Sequence, residues 1–117
     1  MVLSLLKKDP SKDAAAALYR SALEQARRPA FYADFAVADT LEGRFELLTL
    51  HVWLTLRRLK DAGAAGRTLA GRTLEAFFAG LDGDLREMGV GDLSMGRKMR
   101  GLAEGFYGRI GAYEAAI

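Results

Sequence analysis

Residues 39–60 read DTLEGRFELLTLHVWLTLRRLK, and this stretch decides how the rest of the chain must fold. At about 100° per residue, a helix through it carries an apolar stripe formed by Leu41, Phe45, Leu48, Val52 and Leu59. The opposite side of the same helix carries Leu47, Leu50 and Leu54. A helix that is apolar nearly all round needs other helices or lipid around it.

Of these two environments, lipid is less consistent with the sequence. Glu46 and His51 interrupt the apolar run, which is far shorter than the roughly 20 residues that span a bilayer. We therefore predict an all-α protein, a compact multi-helix bundle around a buried central helix at about residues 39–60. Asp39 is expected to cap the start of this helix.

Four further segments are predicted around the central helix. Ser11 suits the cap of a first helix over 11–28, which Pro29 ends. Residues 29–35 hold three aromatic side chains and are expected to form a short helix or turn that covers the core. Apolar spacings of three and four predict a helix over 67–88 and a last helix from 93 to the end.

Glycines mark the predicted turns and close contacts. Gly63 suits a C-cap within a loop over residues 61–66. Gly80 and Gly83 lie inside a predicted helix, where a cost of about 1 kcal/mol each relative to alanine implies close packing, a bend or a break near this point. In the last helix a smooth strip, expected to pack against the central helix, is formed by Gly101, Gly105 and Gly108.

Composition narrows the possible functions. The 117 residues are long enough for one domain with a single core, and half of them are hydrophobic. With no cysteine and one histidine, the sequence excludes a disulfide framework, a thiol nucleophile and a histidine-rich metal site. A net charge of +2 is too small to predict nucleic-acid binding by itself. The apolar start, residues 1–6, precedes its lysines and so does not resemble a secretory signal, which makes a cytoplasmic protein the default.

Catalytic motifs are weak. His51 is the only imidazole, and neither Thr49 nor Thr55 forms a nucleophile–base set with it and a predicted acid. Residues 63–68 lack the lysine and the preceding strand of a phosphate-binding loop. We expect His51 to be structural, and we expect neither enzymatic activity nor a bound cofactor.

Basic residues form two clusters in the sequence. The first contains Arg57, Arg58 and Lys60, and the second contains Arg97, Lys98 and Arg100. Solvated helix faces are the favoured interpretation of both clusters. If the clusters converged in space, they would form a patch for phosphates, ribosomal RNA or anionic lipid headgroups.

The amino-acid sequence of several stretches resembles the signature of the ubiquinol–cytochrome c chaperone family, and of its bacterial members in particular. The resemblance extends in order from about residue 31 to residue 113. It is carried by FY at 31–32, DTLEGRF at 39–45, LH at 50–51, LRRL at 56–59, LREMGVGD at 85–92 and FYGR at 106–109.

The resemblance implies an all-helical assembly factor for the cytochrome bc1 complex (respiratory complex III). Such a protein receives newly made cytochrome b and holds it until haem acquisition and assembly proceed. Mitochondrial members act with a small partner subunit at the ribosomal tunnel exit. The implied partners are therefore cytochrome b, the ribosome and the inner-membrane surface, with peripheral location at that membrane and no DNA. The chain ends soon after Arg109, where relatives continue, so we expect a single helical chaperone domain, shorter than the family at its C-terminal end.

Three sets of candidate site residues follow from the resemblance and the residue pattern. Client contacts are predicted at Met95, Met99 and Phe106. Contacts to headgroups or to the ribosome are predicted at Arg57, Arg58, Arg97, Lys98 and Arg100. A buried polar network, with direct client contact as the alternative, is predicted for Asp39, Arg44, His51, Arg86 and Asp92.

Two other functions stay open at this point. The open apolar C-terminal helix also fits a generic helical adaptor or a homodimer without specificity for cytochrome b. A helical RNA-binding protein is the weaker alternative, and its affinity would fall steeply with salt.

Overall fold

Five helices, four of them long, follow one another along residues 9–117, the part of the chain that the computed structural model describes. They are α1 (Pro10–Ala26), α2 (Pro29–Ala33), α3 (Leu41–Lys60), α4 (Gly63–Glu87) and α5 (Asp92–Ala116). No strand occurs within these described residues, so the predicted all-α class is confirmed. The predicted apolar start at residues 1–6 lies outside them.

Helix α3 is the central element, as predicted. Its side chains are buried on several faces, at Leu47, Leu48, Thr49, Val52, Trp53 and Leu56. The cap is Thr40, whose hydroxyl accepts a hydrogen bond from the Gly43 amide at 3.1 Å. The prediction that Asp39 fills this position is wrong, because its carboxylate accepts from Arg44 instead.

Helix α1 packs closely on α4. Asp9 caps α1 by accepting from the Ser11 amide at 3.0 Å, so the predicted cap at Ser11 is wrong by two residues. The buried face of α1 is made of small side chains, Ala15, Ala22 and Ala26. Next to this face the Tyr19 ring lies so close to Gly80 that a methyl group there would collide with it. Close packing therefore explains this glycine inside a helix.

The turn between α3 and α4 is tighter than predicted. Only Asp61 and Ala62 separate the two helices, and α4 begins at Gly63, four residues before the predicted start. Gly63 has a φ of +76°, which reverses the chain without strain. The predicted loop over 61–66 is therefore wrong, since most of it is the first turn of α4.

Helix α5 runs parallel to α3, because contacting residues rise together along both helices. Glu46 contacts Arg109, and further along Trp53 contacts Glu114. Of the predicted glycine strip, only Gly105 faces α3. Within residues 9–117, no atom outside the nearby backbone of α5 and the chain neighbours lies within 4 Å of the position that a Cβ would take at Gly101 or Gly108, so the predicted strip contact is wrong. Period-3.6 geometry turns both of these glycines away from the buried face of α5.

Aromatic rings join α3, α4 and α5. Phe77 and Phe106 are fully buried, and their ring centroids are 4.9 Å apart. Phe45 of α3 stacks on Phe77 at 6.5 Å, and Phe78 meets Phe106 edge-on at 5.6 Å. Burying each such side chain contributes about 1.5–3 kcal/mol, and the ring geometry adds to this. This aromatic cluster is the main apolar contact of α5.

The short helix α2 covers the core as predicted. Phe31 and Tyr32 pack against buried residues, whereas Phe35 is exposed. None of the helices described for residues 9–117 is long and apolar enough to cross a membrane.

Candidate functional site

An apolar hollow of about 410 Å³ opens at the end of the bundle where α1 and α4 finish and α3 begins. We call it the terminal groove. Its apolar lining consists of Leu23, Ala26, Tyr32, Leu41, Phe45, Leu48, Leu81, Leu85, Met88 and Leu102. Four charged side chains complete it, namely Arg27, Arg44, Asp84 and Glu87. Its size lies within the range of about 300–1,000 Å³ that is usual for binding pockets.

Helix ends explain why this groove is open. Leu48, Leu81 and Leu85 are buried and form its floor, because neighbouring helices cover them. Leu41 and Met88 lie at the first turn of α3 and just after α4, where the covering helices have stopped. They are 54% and 58% exposed, respectively. Contiguous exposed apolar side chains with a polar rim are typical of sites that bind a partner.

Tyr32 closes one side of the groove. Its hydroxyl donates a hydrogen bond to the Ala26 carbonyl at 3.3 Å and so satisfies the exposed end of α1. A second, shallower hollow adjoins it, lined by Arg27, Tyr32 and Arg44 from the groove together with Pro29, Ala33 and Asp39. Arg27 and Arg44 therefore face both hollows.

Asp39 positions the Arg44 side chain. Its carboxylate accepts from Nε and Nη2 of Arg44 at 2.8 Å each, which leaves Nη1 available to another acceptor. Both side chains are more than half exposed, so this pair orients a guanidinium more than it stabilises the fold.

The predicted polar network is not one network and is not buried. Arg44 pairs with Asp39 beside the groove, while Arg86 pairs with Asp82 and Asp92 at 2.7 Å each. The pair with Asp92 joins the end of α4 to the start of α5, whereas the pair with Asp82 lies within α4, and both acids raise the pKa of Arg86. Asp92 is the first residue of α5, and the cap position before it belongs to a glycine.

His51 stands apart from these pairs. Its Nδ1 lies 2.8 Å from the Leu47 carbonyl, and its ring meets Phe31 edge-on at 5.5 Å. One buried network is therefore wrong for the five residues, because they lie on separate helix ends and faces. Of the five, Arg44 is the one that lines the terminal groove.

The predicted client-contact residues belong largely to the interior. Met95 is 5% exposed, Phe106 is fully buried, and Met99 is partly buried against the core. Their contact with a client stays a prediction that requires α5 to move away from α4. Leu102, one turn before Phe106, is the residue through which α5 reaches the terminal groove.

The two basic clusters do not converge. Trp53 of α3 packs on Tyr113 of α5 with ring centroids 5.0 Å apart, and the Arg57 guanidinium lies 5.5 Å from the Trp53 ring. Arg97 precedes Tyr113 on the same helix by more than four turns, which is about 24 Å along the axis. The clusters therefore lie towards opposite ends of the bundle and do not form a single patch.

Sequence reasoning did not identify the terminal groove. Leu41 belongs to the apolar stripe predicted for the central helix, and Met88 ends the helix predicted over 67–88. Both lie at helix termini, where partner helices stop. That position was a usable signal. The charged rim formed by Arg27, Asp84 and Glu87 had no such signal, because residues from the ends of two different helices form it. Within residues 9–117, no group of three or more histidine, aspartate or glutamate side chains is arranged to hold a metal ion.

Comparison with known proteins places the chain in a family. The profile described as "Ubiquinol-cytochrome C chaperone" matches residues 33–117, and the chain belongs to this family. Most of the terminal groove lies within the matched residues, since all of its lining from α3, α4 and α5 does.

Individual relatives agree with this assignment. Ubiquinol-cytochrome-c reductase complex assembly factor 1 of Xenopus laevis is 28% identical over 106 residues, covering 91% of this chain and 53% of that protein. The Homo sapiens protein of the same description is 27% identical over 106 residues, covering 91% of this chain and 36% of that protein. The chain thus spans about half, or less, of these relatives.

A solved structure shares both fold and sequence with the chain. The crystal structure of the Cbp3 homolog from Brucella abortus superposes with a TM-score of 0.79 at 42% identity. The match covers 99% of this chain and 65% of that chain. The bundle described above is therefore the fold of this family.

Proposed function

We propose that the chain is an assembly chaperone for the cytochrome bc1 complex, which binds newly made cytochrome b before haem insertion and assembly. Family membership supports the assembly role, since the relatives are described as assembly factors of ubiquinol–cytochrome c reductase. The observation that carries the proposal is where the two main stretches of the family resemblance meet. Leu41, Arg44 and Phe45 from one stretch and Leu85, Glu87 and Met88 from the other line the same groove.

Physical chemistry supports the proposal that the client binds at this groove. Newly made membrane segments expose apolar side chains, and burying them stabilises a complex by about 25 cal/mol per Å². Leu41 and Met88 are exposed, and methionine adapts its shape to different partners. A volume of about 410 Å³ accommodates a few side chains, so the groove holds a short segment and not a whole membrane helix. Such holding needs no covalent step and no cofactor, and we propose that the protein acts without catalysis.

Location at the inner membrane belongs to the same proposal. Arg57 and Arg58 lie at one end of the bundle, and they are exposed, as are Arg97, Lys98 and Arg100 on α5. Because the clusters are far apart, we propose that one of them contacts lipid headgroups or the ribosome while the groove at the other end of α3 stays accessible. The first cluster, which lies farther from the groove, is the better candidate.

The test is a gentle pull-down of the tagged full-length protein from the bacterium that encodes it, followed by mass spectrometry in a salt series. We expect cytochrome b to be enriched with the wild-type protein and to be lost with the double variant Leu41→Asp/Met88→Asp. Leu93→Asp is the matched control, because Leu93 is fully exposed and does not line the groove.

Three results would contradict the proposal. The first is the absence of cytochrome b from the pull-down, together with unchanged bc1 levels after deletion of the gene. The second is equal loss of cytochrome b with Leu93→Asp, which would argue against the groove. The third is a concentration-dependent dimer mass that Leu41→Asp/Met88→Asp abolishes, which would favour a homodimer or adaptor using this surface.

A further inference from the structure

The charged side chains of the terminal groove are arranged by sign. Arg27 at the end of α1 and Arg44 in α3 form its positive side. Asp84 and Glu87, both near the end of α4, form its negative side. The rest of the lining is apolar, so the groove combines an apolar floor with two charges of each sign.

These charges are largely available to a partner. Among residues 9–117, no ion pair involves Arg27, Asp84 or Glu87. Asp39 holds Nε and Nη2 of Arg44, and no residue of the described range 9–117 bonds Nη1. Other charged residues on the same helix ends, Glu42 and Arg86, do not line the groove.

Helix dipoles reinforce this arrangement at two of the three helix ends that carry the rim charges. The groove lies at the N-terminal end of α3, where about half a positive charge adds to that of Arg44. It also lies at the C-terminal end of α4, where about half a negative charge adds to those of Asp84 and Glu87. The C-terminal end of α1 opposes Arg27, but its partial charge is smaller than that of a full guanidinium.

The Tyr19 hydroxyl, at the contact between α1 and α4, lies within the electrostatic fields of Asp84 and Arg27. Burial raises the pKa of its hydroxyl, Asp84 raises that pKa further, and Arg27 lowers it. Asp84 and Arg27 therefore act on the same neighbourhood from different helices without forming an ion pair with each other.

We propose that the terminal groove selects an apolar peptide segment flanked by one acidic and one basic residue, the acid meeting Arg27 and Arg44 and the base meeting Asp84 and Glu87. The inference rests on the proposed client-binding function and adds the chemical class of segment that is bound. Charge complementarity across the groove favours this occupant over a purely apolar one. It also disfavours segments with two like charges, because one of them would face its own sign.

Binding of short fluorescent peptides to the full chain tests the inference at low salt. Four peptides share one leucine- and phenylalanine-containing core and blocked termini, and differ only in their flanks: acid and base, two acids, two bases, or two serines. The acid-and-base peptide should bind about tenfold more tightly than either like-charge peptide. The difference should shrink at high salt, because these rim charges are screened.

Charge reversal in the protein should invert the preference. With Arg27→Glu/Arg44→Glu the groove becomes acidic, and the two-base peptide should become the best ligand. With Asp84→Lys/Glu87→Lys the two-acid peptide should become the best ligand. The matched controls Arg20→Glu/Arg28→Glu and Asp61→Lys/Glu104→Lys change the same net charge outside the groove and should keep the wild-type order. If Arg27→Glu/Arg44→Glu does not fold, Arg27→Glu alone replaces it, since no ion pair is lost.

The outcomes separate this inference from the proposed function. Equal binding of the serine-flanked and acid-and-base peptides would overturn the charge selection and leave groove binding intact. No binding of any peptide, with cytochrome b still captured in cells, would overturn the inference and move the client site elsewhere. Binding of phosphatidylglycerol vesicles that is lost with Arg27→Glu/Arg44→Glu, without any peptide preference, would identify a lipid site and overturn it as well.

Discussion

At the scale of single residues, two side chains do more than their type suggests. Tyr19 fills the space that Gly80 leaves on α4, so the glycine and the tyrosine form one contact between α1 and α4. Asp39, expected to cap a helix, instead holds Arg44 at the rim of the groove. In both cases the role of the side chain depends on another residue. Gly80, against which Tyr19 packs, lies on a different helix, and Thr40, one position after Asp39, takes the capping role expected of Asp39.

The contact between Tyr19 and Gly80 gives a prediction at this scale. Gly80→Ala should destabilise the protein by about 1–3 kcal/mol, because the new methyl group must displace a packed ring. Gly83→Ala, in the same helix with no atom near its Cβ position, should stabilise it by about 0.5–1 kcal/mol. Urea unfolding measures both. Gly80→Ala combined with Tyr19→Phe should recover part of the loss, and no recovery would show that the collision is elsewhere.

At the scale of helices, α5 is attached to the rest of the bundle by one aromatic cluster and by polar contacts. Arg109 donates from Nε to both carboxylate oxygens of Glu46 at 2.9 and 2.7 Å. The Trp53 indole donates to Glu114 at 2.8 Å. These contacts fix the parallel placement of α5 beside α3, and the Glu46 contact makes it sensitive to pH.

Acid should weaken this attachment. The hydrogen bonds from Arg109, aided by its charge, lower the pKa of Glu46 from the ordinary 4.5. A carboxylate with a lowered folded-state pKa contributes stability above its unfolded pKa and loses it as the pH falls through the folded pKa. Stability should therefore fall as the pH drops below about 4.5, and only modestly, since both side chains are partly exposed and water screens the pair.

Glu46→Gln isolates the contribution of this pair to the pH dependence. In urea unfolding at neutral pH, the variant should have a lower free energy of unfolding than wild type, and this difference should vanish in acid. Glu104→Gln is the control, since Glu104 is exposed on α5 and forms no ion pair within residues 9–117. A difference between Glu46→Gln and wild type that persists below the folded pKa would contradict the assignment.

At the scale of the whole molecule, the aromatic cluster holds helices together and the groove is the proposed binding surface. The cluster around Phe77 and Phe106 joins α3, α4 and α5 into one unit, and the groove lies where α1 and α4 finish and α3 begins. The groove therefore exists only while the helices keep their relative positions.

Phe106→Ala tests whether α5 belongs to that unit. Removing a fully buried ring should cost about 3–5 kcal/mol and should lower hydrogen-exchange protection in α3 and α4 as well as α5. Tyr107→Ala, the next residue and 55% exposed, is the matched control and should cost much less. Loss of protection confined to α5 would show instead that this helix opens by itself, which would support the predicted client contacts at Met95 and Phe106.

Much of the helical framework was predictable because it depends on periodicity and local terminators. The central helix, the short segment after Pro29 and the glycine at Gly80 were interpreted correctly for this reason. The site was harder, because Arg27, Arg44 and Asp84 come from three different helices. Their distance in space depends on how the helices cross, and no local pattern encodes that distance.

The sequence by itself determined that this protein is all-helical, that α3 is central and that the chain resembles the ubiquinol–cytochrome c chaperone family. Local hydrogen bonds, the 3.6-residue period and the sequences of the motifs suffice for these conclusions. The tertiary structure alone decided that Met95 and Phe106 are buried, that the basic clusters are apart, and that an open groove forms beside Leu41. Burial and convergence depend on which helix faces meet and on where each helix stops.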